Sequence, residues 1–384
     1  MATGELRRLA PDTFEQAAAE LAEASAQGLT VRIRGRGSKA TWGRPVPDPP
    51  IELSSTALDR IIEHNPGDFT AIVQAGTPLA RLQDELAAKD QMLALDPPLG
   101  VNGRTATVGG VFATGDAGPL RHRYGAPRDL VLGVTVALSD GTIAKAGSKV
   151  IKNVAGYDLG KLFTGSFGTL GVILSLCVRL HPLPAHTATA LGATADPDVL
   201  DGAARALSRS PLELESLDVA WRGGRGGILA RCAGAEAARR ARRIATLMQT
   251  AGLDTTQVAE DDADHWAHQR AAQRSADRVL VRVAARPSAL AKVLRATDQA
   301  DGTLVGRATL GTSYIELDPG GVSGLLSALP DGAVPVLLDA PAEVRAAIDP
   351  WGAVSAPSLA LMRRVKARFD PFGVCNPGVF AGGI

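Results

Sequence analysis

Residues 172–180 alternate. Val172, Leu174, Leu176, Val178 and Leu180 fall on one face and Ile173, Ser175, Cys177 and Arg179 on the other, the period of a strand with one face in a core. Other stretches follow a helical period. Ala17, Ala18, Ala19, Leu21 and Ala22 form the apolar surface of a helix over 14–27, with Thr13 placed to cap it and Gly28 to close it. Residues 29–33, 51–53 and 69–74 read as strands. Gly76-Thr77-Pro78 reads as a helix start with Thr at the cap, after which Leu79, Leu82 and Leu86 line one face as far as Lys89. Residues 92–95 follow as a strand, and 129–139 pairs with 142–145 across an Asp140-Gly141 turn.

The second half repeats a pattern. Strand 187–193, helix 197–208, strands 212–221 and 227–232 and helix 235–250 make one round. Strand 279–285, helix 288–297, strands 304–310 and 313–317, helix 321–329 and strand 334–338 make another. Two rounds of β-α-β-β-α indicate an antiparallel sheet with helices on one face.

Three glycine-rich runs break these patterns. Arg34 to Lys39 reads RGRGSK after a strand, and prolines at 45, 47, 49 and 50 forbid the helix that a nicotinamide dinucleotide fingerprint needs. Its backbone N–H groups can form an anion-binding nest, or the run is a solvated basic turn. Residues 96–125 hold seven glycines in thirty positions, too many for a helix and too irregular for a sheet. Such a loop in a compact domain is expected to approach a ligand closely. Gly165, Gly168 and Gly171 crowd the entrance of the 172–180 strand.

Composition narrows the classes. Lys plus Arg number 41 against 40 Asp plus Glu, a net +1, which argues against a nucleic-acid partner. The three cysteines, Cys177, Cys232 and Cys375, have neither metal-site nor disulfide spacing. No transmembrane segment or signal peptide is expected. His265-Trp266-Ala267-His268 beside Asp261, Asp262 and Asp264 reads as a polar helix, with no metal site expected, and Arg239, Arg240, Arg242 and Arg243 as a solvated helix face or a contact with a partner subunit.

RGRGSK, TATVGGVFATGDAGPLRHRYG, RDLVLG, KNVAGYDLGKLFTGSFGTLGVI and FDPFGVCNPGVF, in that order, resemble the FAD-binding oxidoreductases of the vanillyl-alcohol-oxidase / p-cresol-methylhydroxylase (PCMH) type. The set is most similar to the FAD-binding (E) subunits of glycolate oxidases. The resemblance covers roughly 1–184 and the last twenty residues. It implies an α+β fold: a PCMH-type two-part FAD-binding domain over 1–184, an antiparallel-sheet α+β cap over 186–365, and a segment 366–384 returning to the FAD domain.

The resemblance also implies site residues. Arg34, Gly35, Arg36, Gly37, Ser38 and Lys39 would hold the FAD pyrophosphate. Pro98, Gly103, Thr107, Val108, Gly109, Gly110, Ala113, Thr114, Gly115 and Gly118 would lie along diphosphate, ribityl chain and flavin, with Arg121, Arg123 and Tyr124 closing that wall. Ser166, Gly168, Thr169, Gly171, Val172 and Ile173 would run beside adenine and ribose, and Asn376 would reach towards the isoalloxazine. The pyrophosphate loop lacks the histidine through which some relatives bond flavin, so FAD is expected to be non-covalent, with His122 the alternative attachment. Phe167 stands where many relatives carry glutamate, and no histidine follows His268, where metal-dependent relatives have a histidine-rich motif.

The expected activity is oxidation of a small 2-hydroxy acid such as glycolate. Arg121 or Arg307 would clamp the carboxylate, and Tyr157 or His122 would serve as acid or base. The alternative is a non-catalytic FAD subunit that relays electrons or completes a heteromeric complex. Expected partners are a homologous FAD subunit and an iron–sulfur subunit, in the cytoplasm or peripheral to a membrane complex; three scattered cysteines fall short of the roughly four thiolates that a cluster takes.

Overall fold

The computed structural model describes residues 6–100, 105–149 and 157–384. Gly103 and the KNVAG part of the fourth motif lie outside these residues. The chain opens with β1 (Arg7–Leu9), α1 (Phe14–Ala26), β2 (Val31–Arg34), β3 (Ile51–Ser54), β4 (Ile61–Asn65), β5 (Thr70–Gln74), α2 (Leu79–Ala87), β6 (Gln91–Met92) and α3 (Val108–Thr114). Next come α4 (Arg121–Tyr124), α5 (Pro127–Leu130), β7 (Val131–Ala137), β8 (Ile143–Gly147), α6 (Leu159–Phe163), β9 (Val172–Arg179) and β10 (His181–Pro182). β1, β3 and β2 form a parallel three-stranded sheet, and β4-β5-β9-β7-β8 an antiparallel five-stranded one. The Thr13 hydroxyl accepts from Gln16 N–H and caps α1, whose Ala17, Ala18 and Leu21 pack against Val172 and Leu174.

The second half contains β11 (Thr187–Thr194), α7 (Pro197–Arg209), β12 (Ser216–Arg222), β13 (Arg225–Ala233), α8 (Ala237–Thr250), β14 (Thr255–Ala259), α9 (Ala263–Ala271), β15 (Val279–Ala284), α10 (Leu290–Gln299), β16 (Thr303–Arg307), β17 (Thr312–Leu317), α11 (Val322–Ala328), β18 (Val334–Asp339) and α12 (Ala342–Ala347), before α13 (Ala356–Phe369). Its eight strands form one antiparallel sheet, ordered β14-β11-β13-β12-β16-β17-β15-β18. Alternate residues such as Ala188, Ala190, Val219, Ile228 and Ile315 share a core with α7, α8, α10 and α11.

Two compact units result. The first takes Met1–Ala117, Gly125–Leu183 and Ala353–Ile384, and the second Gly118–Tyr124 and Pro184–Gly352. The chain thus re-enters the first unit at Ala353, ahead of 366, because α13 docks there: Phe369 meets Phe163 edge-on at 5.7 Å, and Lys366 Nζ donates to the carbonyls of Thr169 at 2.7 Å and Cys375 at 2.9 Å. No helix of the described residues is long and apolar enough to cross a membrane.

Three expectations need correction. The glycine-rich 96–125 run does contain a helix, α3, capped by the Thr107 hydroxyl on Gly110 N–H and ended by Gly115 in a left-handed turn. β9 is buried on both faces as far as Val178, because it lies between β5 and β7 in the middle of its sheet. Thr77 does not cap α2; Pro78 takes the cap position without a side-chain bond, and Thr77 is fully buried, its carbonyl accepting from Val108 N–H at 2.9 Å.

Candidate FAD cradle and the buried face of the second sheet

Three segments of the first unit converge. The 35–39 loop leaves β2 so close to α3 that a Cβ on Gly35 would run into the Thr107 side chain. The 165–171 turn is tied to α3 by Gly165 N–H to the Phe112 carbonyl, 2.9 Å, and Phe167 N–H to the Ala113 carbonyl, 2.8 Å. Asn376 joins the third side. Its Oδ1 accepts from Ile33 N–H at 2.7 Å, and its Nδ2 donates to the Phe167 carbonyl at 2.7 Å and the Ile33 carbonyl at 3.3 Å. These bonds hold Phe167 in a left-handed conformation, φ +56°, with its ring beside Phe380.

Asn376→Ala therefore removes one acceptor from Ile33 N–H and the amide donor from the carbonyls of Phe167 and Ile33. The expected loss is about 1–3 kcal/mol of stability for polar groups left unpaired, read as a lower urea midpoint, together with weaker FAD retention on gel filtration.

The side chains of the 34–39 loop are less free than the sequence implies. Arg34 Nη2 lies 2.9 Å from Glu52 Oε1, and Lys39 Nζ lies 3.1 Å from Asp116 Oδ2 in a pair only 5% and 2% exposed. The Lys39 ammonium also sits 5.6 Å from the centre of the Trp42 ring. Arg36 is exposed and Ser38 half-buried. Gly37 takes a left-handed turn, and the exposed Arg36 guanidinium stands beside it. Glu52 and Asp116 gave no signal in the sequence, because each meets its base only through long-range packing.

Along the wall, Pro98, Thr107, Val108 and Gly109 are buried, while Gly110, Ala113, Thr114 and Gly115 remain half-buried. A Cβ on Gly109 would lie 2.6 Å from Ala75 Cβ, so Gly109 serves packing; a Cβ on Gly110 would meet only Thr107 Oγ1, at 3.1 Å. The Ser166 hydroxyl donates to the Phe163 carbonyl at 2.8 Å and that of Thr169 to the Ser166 carbonyl at 2.7 Å, so this turn presents backbone rather than hydroxyls. Gly168 crosses Asn376, Gly171 is pressed on the Ala137 carbonyl, and Val172 and Ile173 begin β9 buried. The arrangement fits a dinucleotide: half-buried glycine backbone beside a nest, with open space at Gly110 and around Gly165.

Gly118, Arg121, His122, Arg123 and Tyr124 belong to the second unit. Arg123 pairs with Glu213 at 2.6 Å, and the Tyr124 hydroxyl donates to Glu215 Oε1 at 3.3 Å, its phenol pushed up to about 12 by burial and by the Glu215 charge. Burial lowers the imidazole of His122, whose Nδ1 has no hydrogen-bond partner among the described residues. Tyr157, in the first unit, is 89% exposed.

The sheet face turned from the four core helices buries charge. Arg307, on β16, is ion-paired with Asp218 on β12, and both side chains are almost fully buried. Gln269 of α9 donates to Asp218 Oδ2 at 3.2 Å. Arg231 holds Asp262 at 3.0 Å, and Trp266 Nε1 donates to Thr189 Oγ1 at 2.8 Å. The segment read as a polar helix is thus anchored on this face by a buried tryptophan. Of the α8 arginines, Arg239, Arg242 and Arg243 are exposed, Arg242 meeting Glu260 at 3.1 Å, whereas Arg240 is half-buried, meets Glu213 at 3.4 Å and donates to the Ala233 carbonyl.

A glycine-walled cradle in a unit built on an antiparallel sheet is the arrangement of an FAD-binding domain of the PCMH type. Residues 7–147 match the family described as FAD binding domain, and FAD is the cofactor of that domain. Glycolate oxidase subunit GlcE of Escherichia coli (strain K12) is 38% identical over 152 residues, 40% of this chain and 42% of that one. D-lactate dehydrogenase of Archaeoglobus fulgidus is 37% identical over 172 residues, 45% of this chain and 38% of the other, and glycolate oxidase subunit GlcD of Bacillus subtilis (strain 168) 31% over 216, 55% and 45%. The alignments span less than half the length of each of these relatives. A solved alkyldihydroxyacetonephosphate synthase superposes on 96% of this chain and 75% of its own, with a TM-score of 0.70 at 13% identity, a likeness of fold.

Proposed function

We propose that the chain is the FAD-binding subunit of a dehydrogenase that oxidises a small 2-hydroxy acid such as glycolate. The observation that carries this reading is the cradle itself, three backbone segments pinned together by Asn376 around open glycine faces, within a domain of the FAD-binding family. Its similarity to a glycolate oxidase subunit supplies the substrate class.

Bound FAD supplies the hydride acceptor. The chain supplies the clamp and the base. Arg121 is the better clamp, since Arg307 already holds Asp218. His122 is the better base, since burial keeps it neutral at neutral pH while Tyr157 stands in solvent. A second reading, a FAD subunit without substrate chemistry, is favoured by the commitment of Arg307 to Asp218.

Anaerobic mixing with a panel of 2-hydroxy acids separates the two. Glycolate or lactate is expected to bleach the flavin, and an unchanged spectrum with every acid would leave only the second reading. Because the imidazole of His122 is lowered, the acid limb of the reduction rate should fall below the ordinary value of about 6.5; a limb at higher pH would remove His122 as base. FAD is bound without a covalent link, so acid or heat should release it into the supernatant. A homologous FAD subunit and an iron–sulfur subunit are the proposed partners. Both should co-purify with the tagged chain from its host, and recovery of the chain alone from intact extract would count against the assembly.

A further inference from the structure

The second unit carries a cavity of about 460 Å³ lined by none of the residues assigned above to FAD or to the hydroxy acid. Its floor follows from strand register. One cross-strand row reads Thr255, Ala193, Gly227, Ala220, Val305, each opposite the next across five strands. These side chains are short, whereas the adjoining row carries Gln257, Leu191 and Leu229, so a trough runs across the strands. Alternation puts this row on the sheet face turned from the core helices.

The rim is basic. Arg222 and Arg225, paired across the β12–β13 turn, line one side, and His265 of α9 lines the cavity as well. No acidic side chain lines it among the described residues. Arg225 makes a long, exposed ion pair with Asp254, at 4.0 Å, beyond hydrogen-bond length and weak in solvent.

We propose that this trough binds an amphiphilic carboxylate, its apolar body on Ala193, Ala220 and Val305 and its head group between Arg222 and Arg225. The volume falls within the roughly 300–1,000 Å³ of small-molecule sites. Guanidinium forks match a carboxylate in a bidentate geometry that a hydroxyl cannot reproduce, and an ammonium head would be repelled by both guanidinium groups. The site does not depend on the assigned substrate, since the ligand needs no 2-hydroxyl.

The test titrates the full chain, with its FAD, calorimetrically against octanoate, octanol and octylammonium. Octanoate should bind at least roughly tenfold more tightly than the other two, a difference of about 1.4 kcal/mol. Arg222→Ala together with Arg225→Ala should erase that preference with flavin content unchanged. Ala220→Leu, which fills the trough, should abolish octanoate binding; if that variant fails to fold, the arginine variants still decide. Equal affinity for octanoate and octanol, absence of octanoate binding, or a carboxylate preference that survives the double arginine change would overturn the proposal.

Discussion

Gly110→Val is expected to give a folded protein that purifies colourless. A Cβ at this position meets one atom, Thr107 Oγ1 at 3.1 Å, and otherwise points into open space. Gly110 lies inside α3, where valine is tolerated better than glycine, so the backbone has no reason to break. The two added methyls then stand in the wall of the cradle. Intruding groups of this size cost about 1–3 kcal/mol where a close fit is required, equivalent to roughly ten- to hundredfold in FAD affinity. Gly109→Val is the control with the opposite expectation. A Cβ there would lie 2.6 Å from Ala75 Cβ and 2.9 Å from the Ala75 carbonyl oxygen, so β5 and α3 are forced apart and the first unit loses its fold. Flavin content and thermal unfolding of the two variants separate a cofactor wall from a packing contact. A yellow Gly110→Val protein would move the wall elsewhere.

The neighbouring glycines also mark what the sequence could reveal. Helix α1 was legible because Thr13 and an apolar face at helical spacing agree. The second sheet was legible because its strands bury one set of alternate residues under helices, and period-two patterning survives in the chain. Helix α3 was not, because Val-Gly-Gly-Val carries poor helix propensity. Its helicity rests on the Thr107 cap and on packing of Gly109 against Ala75, a contact between residues more than thirty apart. β4 and β14 also escaped notice: their polar positions weaken the alternation, although pairing with β5 and β11 holds them in place.

The cradle was legible as an ordered set of motifs, down to Asn376, whose amide bonds join strand and turn. Its electrostatics were not. Lys39 and Arg34 read as charges offered to a diphosphate, yet each faces an acid from another element, Asp116 and Glu52. Nor does a linear pattern show that Gly118–Tyr124 folds with the second unit, since the bonds responsible run from Arg123 and Tyr124 to Glu213 and Glu215, some ninety residues on.

The same gap governs Arg307, which the sequence offers as a carboxylate clamp and the structure buries against Asp218. Burial pushes Asp218 up to about 6 from 3.8, despite the arginine and the Gln269 amide. The folded state therefore holds this proton more tightly than the unfolded chain does. The stability it contributes is complete below about pH 4 and is lost as pH rises through about 6. Arg307→Met leaves a buried carboxylate unpaired, which is expected to cost about 3–5 kcal/mol at neutral pH and to extend the window of falling stability to higher pH. Adding Asp218→Leu removes the charge as well, and most of the loss should return, because apolar replacements of a buried pair are often neutral or better. Urea midpoints across pH 4 to 9 test both steps; a double variant as unstable as the single one would sink the account. Flavin reduction in the stable double variant then decides the clamp. Retained bleaching by a 2-hydroxy acid assigns Arg307 to the architecture of the sheet and leaves Arg121 to hold the substrate, whereas loss of bleaching at normal stability would return Arg307 to the site.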